Sequence, residues 1–263
     1  MGYYEEMIRR IAVDADPAAT IEDIRIYVNW VLVKTGKWSL STYFHNMPGF
    51  IDPIGMNAWM GDWIGRPARA AALELLASRE NLRRSVGMAC LKSLLPEPSG
   101  GTIEGGAMEL FEPAIARLPS CFIGYFKTAA LWREQGYPVT IVELFPRPGD
   151  VHWDEADQAL RDAELVFMTG LTVVNETLEA VIRRTPSARM RILMGPTVPA
   201  SPALFNYGLD VLGITSIDDV ELMSGYALRG GGSIANAPAG ALRSLNMAKD
   251  LDGLQERIAA LGR

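Results

Sequence analysis

Histidine and cysteine are scarce in this chain, which holds two of each in 263 residues. Metal sites built from protein side chains gather His, Cys and carboxylates at short spacings. His45 and His152 stand isolated, so no zinc-type spacing exists, and each is read first as a surface or scaffold residue. Cys90 and Cys121 sit in apolar surroundings, MACLKSLL and PSCFIGYF. That pattern describes buried free thiols rather than a disulfide framework, and it points to a reducing compartment.

Basic charge is also short. Lys and Arg number 25 against 31 Asp and Glu, a formal net charge of −6. A nucleic-acid surface needs a surplus of cations on one face, so that class is excluded. No window reaches the roughly 18 apolar residues that would span a bilayer. The opening MGYYEEMIRRIAVDAD mixes charge with apolar residues and lacks the core of a signal peptide. Met-Gly followed by Tyr3, Tyr4, Glu5 and Glu6 makes a poor acylation site. A cytoplasmic protein without membrane or nucleic-acid partners is expected.

Catalytic signatures are missing too. No G-x-S-x-G is present, and neither Ser41 nor Ser224 has a base nearby in sequence. The glycine run at 230–232 lacks the Lys-Ser/Thr ending of a phosphate loop and is read as a turn or lid. Asp218 and Asp219 read as a solvated loop or a helix start.

What remains is ordinary globular composition, 49% hydrophobic and 21% charged, enough for one large domain or two modest ones. Residues 24–44 alternate β-branched or aromatic with polar residues around a Thr-Gly-Lys break, which predicts a hairpin. Two helical patterns follow, RPARAAALELLAS and ENLRRSVGMACLKSLL, the second closed by Pro96. MNAWMGDW, at 56–63, suits either a pocket wall or a domain interface. PEPSGGTIEGG, at 96–106, reads as a linker or mobile loop. The expected domains are therefore 1–100 and 101–263.

Downstream, short apolar runs alternate with helical stretches. SCFIGYF (120–126), PVTIVEL (138–144), ELVFMTG (164–170), MRILMG (190–195) and DVLGIT (210–215) read as buried strands of a parallel sheet. SPALFNYG is complete as local structure, with Ser201 as cap, Pro202 first and Gly208 last.

In such sheets ligands collect beyond the carboxyl ends of the strands. The edge residues are Gly124, Tyr125 and Lys127, then Glu143, then Thr169, Gly170, Leu171, Thr172 and Asn175, then Gly195, Pro196 and Thr197. Gly170 would admit a ligand or a close backbone, while Thr172 and Asn175 serve equally as helix caps. Glu143 falls where dinucleotide-binding domains hold ribose hydroxyls, yet GYFKTA replaces the G-x-G-x-x-G such domains carry. Glu143 is therefore either a ligand contact or a solvated strand end.

MTGLTVVNETLEAVI and LMGPTVPASPALFNYGLDVLGITSIDD, with FIGYF, VELFPRPGD and DAELVFMTG in the same order, resemble the family labelled "putative heavy-metal chelation". The segment upstream resembles the enolase N-terminus-like domain that precedes it there. The resemblance spans nearly the whole chain and implies a Rossmann-like domain packed with a small α+β domain, a ligand held in the cleft between them. Glu176 stands where that pattern favours Gly, and GYFKTA replaces a His-bearing turn. Beside a structural or assembly protein with a vestigial pocket, two functions stay open. One is binding or processing of a metal-chelating metabolite. The other is an enzyme using S-adenosylmethionine or a similar cosubstrate, with Glu143 on the ribose and Tyr125, Lys127 and Glu176 at the reacting group. The cofactor is undetermined between S-adenosylmethionine and a divalent transition metal, no metal ligands are assigned, and a homodimer is expected.

Overall fold

The computed structural model describes residues 2–43, 58–98 and 101–261. The chain forms two compact units. Unit 1 comprises Met1–Glu97, Pro196–Ala203 and Ile214–Ser244; unit 2 comprises Pro98–Gly195, Leu204–Gly213 and Leu245–Arg263. The chain thus passes between units more than once.

Unit 1 begins with α1 (Tyr3–Ile11), whose Met7, Ile8 and Ile11 are buried while Glu5, Glu6 and Arg9, Arg10 complement the two ends of its dipole. Three antiparallel strands follow, β1 (Asp23–Ile26), β2 (Trp30–Thr35) and β3 (Lys37–Thr42). The expected hairpin is the β2–β3 pair, turning at Gly36 with φ 90°, and β1 extends it to a meander. The helices α2 (Ala68–Leu76) and α3 (Asn81–Leu94) occupy the two predicted helical patterns. Leu95 leaves α3 in an extended conformation because it precedes Pro96, which excludes the helical region for its neighbour.

Unit 2 carries most of an eight-stranded sheet in the order β4-β11-β10-β9-β8-β5-β6-β7. Its strands are β4 (Thr102–Glu104), β5 (Ser120–Ile123), β6 (Val139–Glu143), β7 (Val151–His152), β8 (Leu165–Thr169), β9 (Met190–Gly195), β10 (Val211–Ile217) and β11 (Leu242–Ala248). The five predicted strands are present as β5, β6, β8, β9 and β10. The pairs β5–β6, β5–β8, β6–β7 and β8–β9 are parallel. Numbered from β5, the run β7-β6-β5-β8-β9-β10 has the 3-2-1-4-5-6 order of a doubly wound sheet, and its direction of winding reverses between β5 and β8.

One expectation needs correction. The stretch read as a linker contains β4, which pairs antiparallel with β11 through Ile103 and Asn246. Three residues between glycines give too weak a pattern to signal an edge strand, whose stability comes from a partner more than a hundred residues away.

Helices α4 (Ala107–Ile115), α5 (Lys127–Glu134), α6 (Asp157–Asp162), α7 (Leu171–Val174), α8 (Leu178–Arg184), α9 (Val220–Leu228) and α10 (Leu254–Leu261) complete the fold. The core of unit 2 centres on the reversal point. Phe122 of β5 and Phe167 of β8 are register partners whose rings stack with centroids 4.6 Å apart, and Phe111 of α4 meets Phe167 edge-on at 5.7 Å. Among the described residues no helix is long and apolar enough to cross a membrane.

Candidate functional site

The carboxyl ends of β6, β5, β8 and β9 form one rim. Gly124 N–H donates to Val142 O at 3.0 Å, tying the end of β5 to that of β6. Ile123 is the register partner of Met168, and Thr169 that of Met194. Gly170 N–H donates to Met194 O at 3.0 Å, so the end of β8 is tied to β9 beside Gly195. Glu143, Gly124, Thr169, Gly170 and Gly195 therefore fall on a common edge, within one residue of register.

Gly124 has φ 104°, a conformation other residues adopt only with strain. A Cβ there would stand 2.8 Å from Thr169 Cγ2. The backbone of β5 and the side chain of β8 meet at the reversal point, where doubly wound sheets open their ligand crevice. This juxtaposition is the strongest feature of the rim.

The hydroxyl and amide groups around Gly170 are largely committed to local structure. Thr172 Oγ1 donates to Thr169 O at 2.8 Å, and Thr169 Oγ1 accepts from the Leu171 N–H at 3.4 Å. Asn175 Oδ1 accepts from both the N–H and the hydroxyl of Thr177, at 3.2 and 2.7 Å. These residues shape the turn after β8. Glu176, at the tip of that turn, is exposed and has φ 63°.

Glu143 is half-buried at the end of β6, and Leu144 N–H donates to its Oε2 at 3.2 Å. Burial raises its carboxyl above the ordinary range, opposed by the N–H groups of Tyr125 and Leu144. Tyr125, beyond β5, is 36% exposed, and the Arg147 guanidinium carbon lies 3.4 Å from its ring centroid. Lys127 is exposed at the start of α5. The sequence reading missed Arg147 and the loop that carries it. FPRPGD signals a turn, and nothing in its spacing reveals that Arg147 returns to Tyr125.

The remaining predicted residues lie in unit 1. Thr197 is buried, accepts from the Thr42 N–H at 3.1 Å and shares a 2.7 Å hydroxyl contact with Thr42. Pro196 O accepts from the Lys92 ammonium. Ser224 Oγ accepts from Arg25 at 3.0 Å, and Ser41 Oγ donates to Thr42 O at 3.1 Å. Asp219 caps α9 through the N–H groups of Glu221 and Leu222, as its sequence suggested. In the glycine run, Gly230 and Gly231 N–H close the end of α9 on Ala227 O and Tyr226 O, and Trp30 Nε1 donates to Gly231 O. With those donors turned inward the loop is a turn and not a phosphate cradle.

The described side chains do not fit a resident metal ion. Among the described residues no group of three or more His, Cys, Asp and Glu converges on a point. Cys90 and Cys121 are buried, and burial pushes both thiols up to about 12, which opposes the thiolate a soft metal requires. His152 Nδ1 accepts from Asp154 N–H at 3.2 Å, and His45 lies outside the described residues. A separate apolar groove of about 440 Å³ between α4 and α10 is lined by Leu110, Pro113, Arg117, Gln255, Ile258 and Ala259 and includes no rim residue.

Comparison with known proteins bears on both units. Residues 107–246 match the family model DUF364 and residues 4–95 match DUF4213, each described as "Putative heavy-metal chelation". A DUF364 protein of unknown function from Desulfitobacterium hafniense superposes with TM-score 0.77 at 20% identity, over 94% of this chain and 98% of that one. Another from Pyrococcus horikoshii gives 0.70 at 15% identity, over 92% and 98%. At these identities the likeness is one of fold. An uncharacterized protein of Methanocaldococcus jannaschii is 38% identical over 63 residues, 24% of this chain and 24% of its own length.

Proposed function

The chain belongs to the DUF364 family, described as "Putative heavy-metal chelation", and from that premise we propose that its rim binds a small metal-chelating molecule. The observation that carries this reading is the meeting of Gly124 with Thr169 at the point where the winding of the sheet reverses. The lack of a convergent donor set among the described residues supports the second half of it: the metal's ligands come from the small molecule, and the metal is cargo. In this role Gly124 lets the ligand approach the backbone, the turn 169–177 forms one wall, and Tyr125 with Glu143 forms the other.

The test is equilibrium dialysis with metal analysis, using nickel alone, ferric citrate and the cationic nickel complex of phenanthroline, whose ligand has no anionic group. Retention of a chelate near one equivalent is expected, lost in Gly124→Ala variants whose fold is verified by circular dichroism. Retention of bare nickel at one equivalent, or chelate binding indifferent to Gly124→Ala, removes the proposal.

A second reading has one observation in its favour. Glu143 ends the second strand of the doubly wound order, the position that holds ribose hydroxyls in nucleotide-binding sheets. A cosubstrate such as S-adenosylmethionine would then lie along the rim, with Tyr125, Lys127 and Glu176 near the reacting group. Calorimetry with S-adenosylmethionine and S-adenosylhomocysteine decides it: heat that Glu143→Ala abolishes supports this reading, and no heat with either ends it.

A further inference from the structure

The loop after β6 is built to present one side chain. Asp150, whose side chain is fully buried, accepts from Arg133 at 2.8 Å through one carboxylate oxygen and from the Arg147 N–H at 3.1 Å through the other. Arg133 also donates to Gly149 O at 2.6 Å. Residues 149 and 150, at the end of the loop, are thereby fastened to α5 through Arg133. The same loop carries Arg147, whose guanidinium carbon lies 3.4 Å from the Tyr125 ring centroid.

The acidic groups nearby have hydrogen-bond partners of their own, although the Arg147 charge also acts on Glu143. Asp150 is held by Arg133 and a backbone N–H, and Glu143 by the N–H groups of Leu144 and Tyr125. Arg133, Arg184, Arg189 and Arg257 of unit 2 each face a carboxylate. Among the described residues Arg147 has no such ion pair. The adjacent helix α5 starts at Lys127 with no side chain capping its first turn, which leaves a partial positive charge on the same side. On a chain of net charge −6 the guanidinium and the start of α5 place positive charge at the rim, with no carboxylate in ion-pair contact with Arg147 among the described residues.

We propose that Arg147 is the anion-recognition residue of the rim, its planar fork receiving a carboxylate or phosphate group of the ligand while Tyr125 holds the opposite face of the guanidinium. This rests on the rim being the binding site, and it narrows the ligand class to anionic chelators, of which polycarboxylates are the simplest chemistry. A fixed guanidinium binds a carboxylate bidentately, which an ammonium cannot reproduce.

Calorimetric titration with metal-free citrate and with inorganic phosphate tests it in wild type, Arg147→Gln, Arg147→Lys and Asp150→Asn proteins. Losing one charge-assisted contact is expected to weaken binding at least about tenfold in Arg147→Gln. Arg147→Lys should recover part of that loss, Asp150→Asn should fall between, and added salt should weaken wild-type binding. Equal affinity in wild type and Arg147→Gln, or no heat from either anion in wild type, overturns the proposal. Two further arms separate it from the reading it rests on. If the phenanthroline complex, which offers no anionic group, binds regardless of Arg147 but not in Gly124→Ala, the rim stands and the anion inference fails when citrate is equally indifferent to Arg147. If citrate depends on Arg147 yet ignores Gly124→Ala, Arg147 binds anions and the rim reading fails.

Discussion

In unit 1 the small polar residues hold one another. Thr197 bonds to Thr42, Thr35 to Ser93 at 2.7 Å, Lys92 to Leu40 O and Pro196 O, and the glycine run to Trp30. In unit 2 the same residue types at the rim also bond locally, but they do so around glycines and leave Tyr125, Lys127, Glu176 and Arg147 exposed. Threonine, glycine and serine at a strand end therefore have two uses that one-dimensional patterning does not separate. What separates them is whether the glycine sits where two strand ends meet or where a turn folds back on its own helix.

Glycine substitution should make that difference largest. Gly124→Ala introduces strain at φ 104° and a contact with Thr169 Cγ2 at 2.8 Å, so a loss of about 2–4 kcal/mol is expected from the two effects together. Gly230, with φ 79° and nothing within 4 Å of an added Cβ, has strain alone, about 1–2 kcal/mol. Denaturant unfolding of both variants measures the gap. Equal losses would mean that Thr169 moves aside freely and the two strand ends are not locked together.

Most of the fold was legible in the sequence because buried parallel strands write themselves as continuous apolar runs; SCFI, LVFMT and MRILMG need no partner to be seen. The two helical patterns and the Asp219 cap are local for the same reason. β4 was not legible, since its pairing with β11 is set by distant residues. At the site, the alignment of Gly124, Glu143, Gly170 and Gly195 followed from strand ends alone. Arg147 did not, because its place depends on Asp150 binding Arg133, a contact between a loop and a helix that no periodicity encodes. Thr197 was drawn to the rim by adjacency to Gly195, whereas its hydroxyl is fixed by β3.

The buried amine of unit 1 gives the next effect. Lys92 lies within α3 with its ammonium on two carbonyl oxygens and, among the described residues, in no ion pair with a carboxylate; burial, with the nearby charge of Lys37, pushes it down to about 7. The unfolded chain holds that proton up to about pH 10.4, so between about 7 and 10 the unfolded state binds the extra proton. Stability should therefore rise with pH across that window, by up to about 1.4 kcal/mol per pH unit from this group, and flatten below it. Lys92→Met should remove the slope. At the alkaline end the variant should be less stable by about 1–3 kcal/mol, because Leu40 O and Pro196 O lose their donor, and the deficit should shrink and then change sign as pH falls toward 7 and the wild type loses its stability along the slope. A variant that keeps the wild-type slope would assign the titration to another group.

Glu176 supplies the smallest effect and ties the comparison to function. It is the one non-glycine residue with positive φ among those described, and it stands in the rim turn. Holding a side chain in the left-handed region costs about 1–2 kcal/mol, while glycine returns about 0.5–1 kcal/mol of that through the greater freedom of the unfolded chain. Glu176→Gly should therefore stabilise the protein by about 0.5–1 kcal/mol, a rise of a few degrees at most in the melting temperature. If the strain is retained for the carboxylate, the same variant should also bind ferric citrate differently from wild type in the dialysis experiment. A gain in stability with unchanged chelate binding would place Glu176 with the local turn chemistry of Asn175 and Thr177, and a loss of stability would show that contacts of its side chain outweigh the backbone strain.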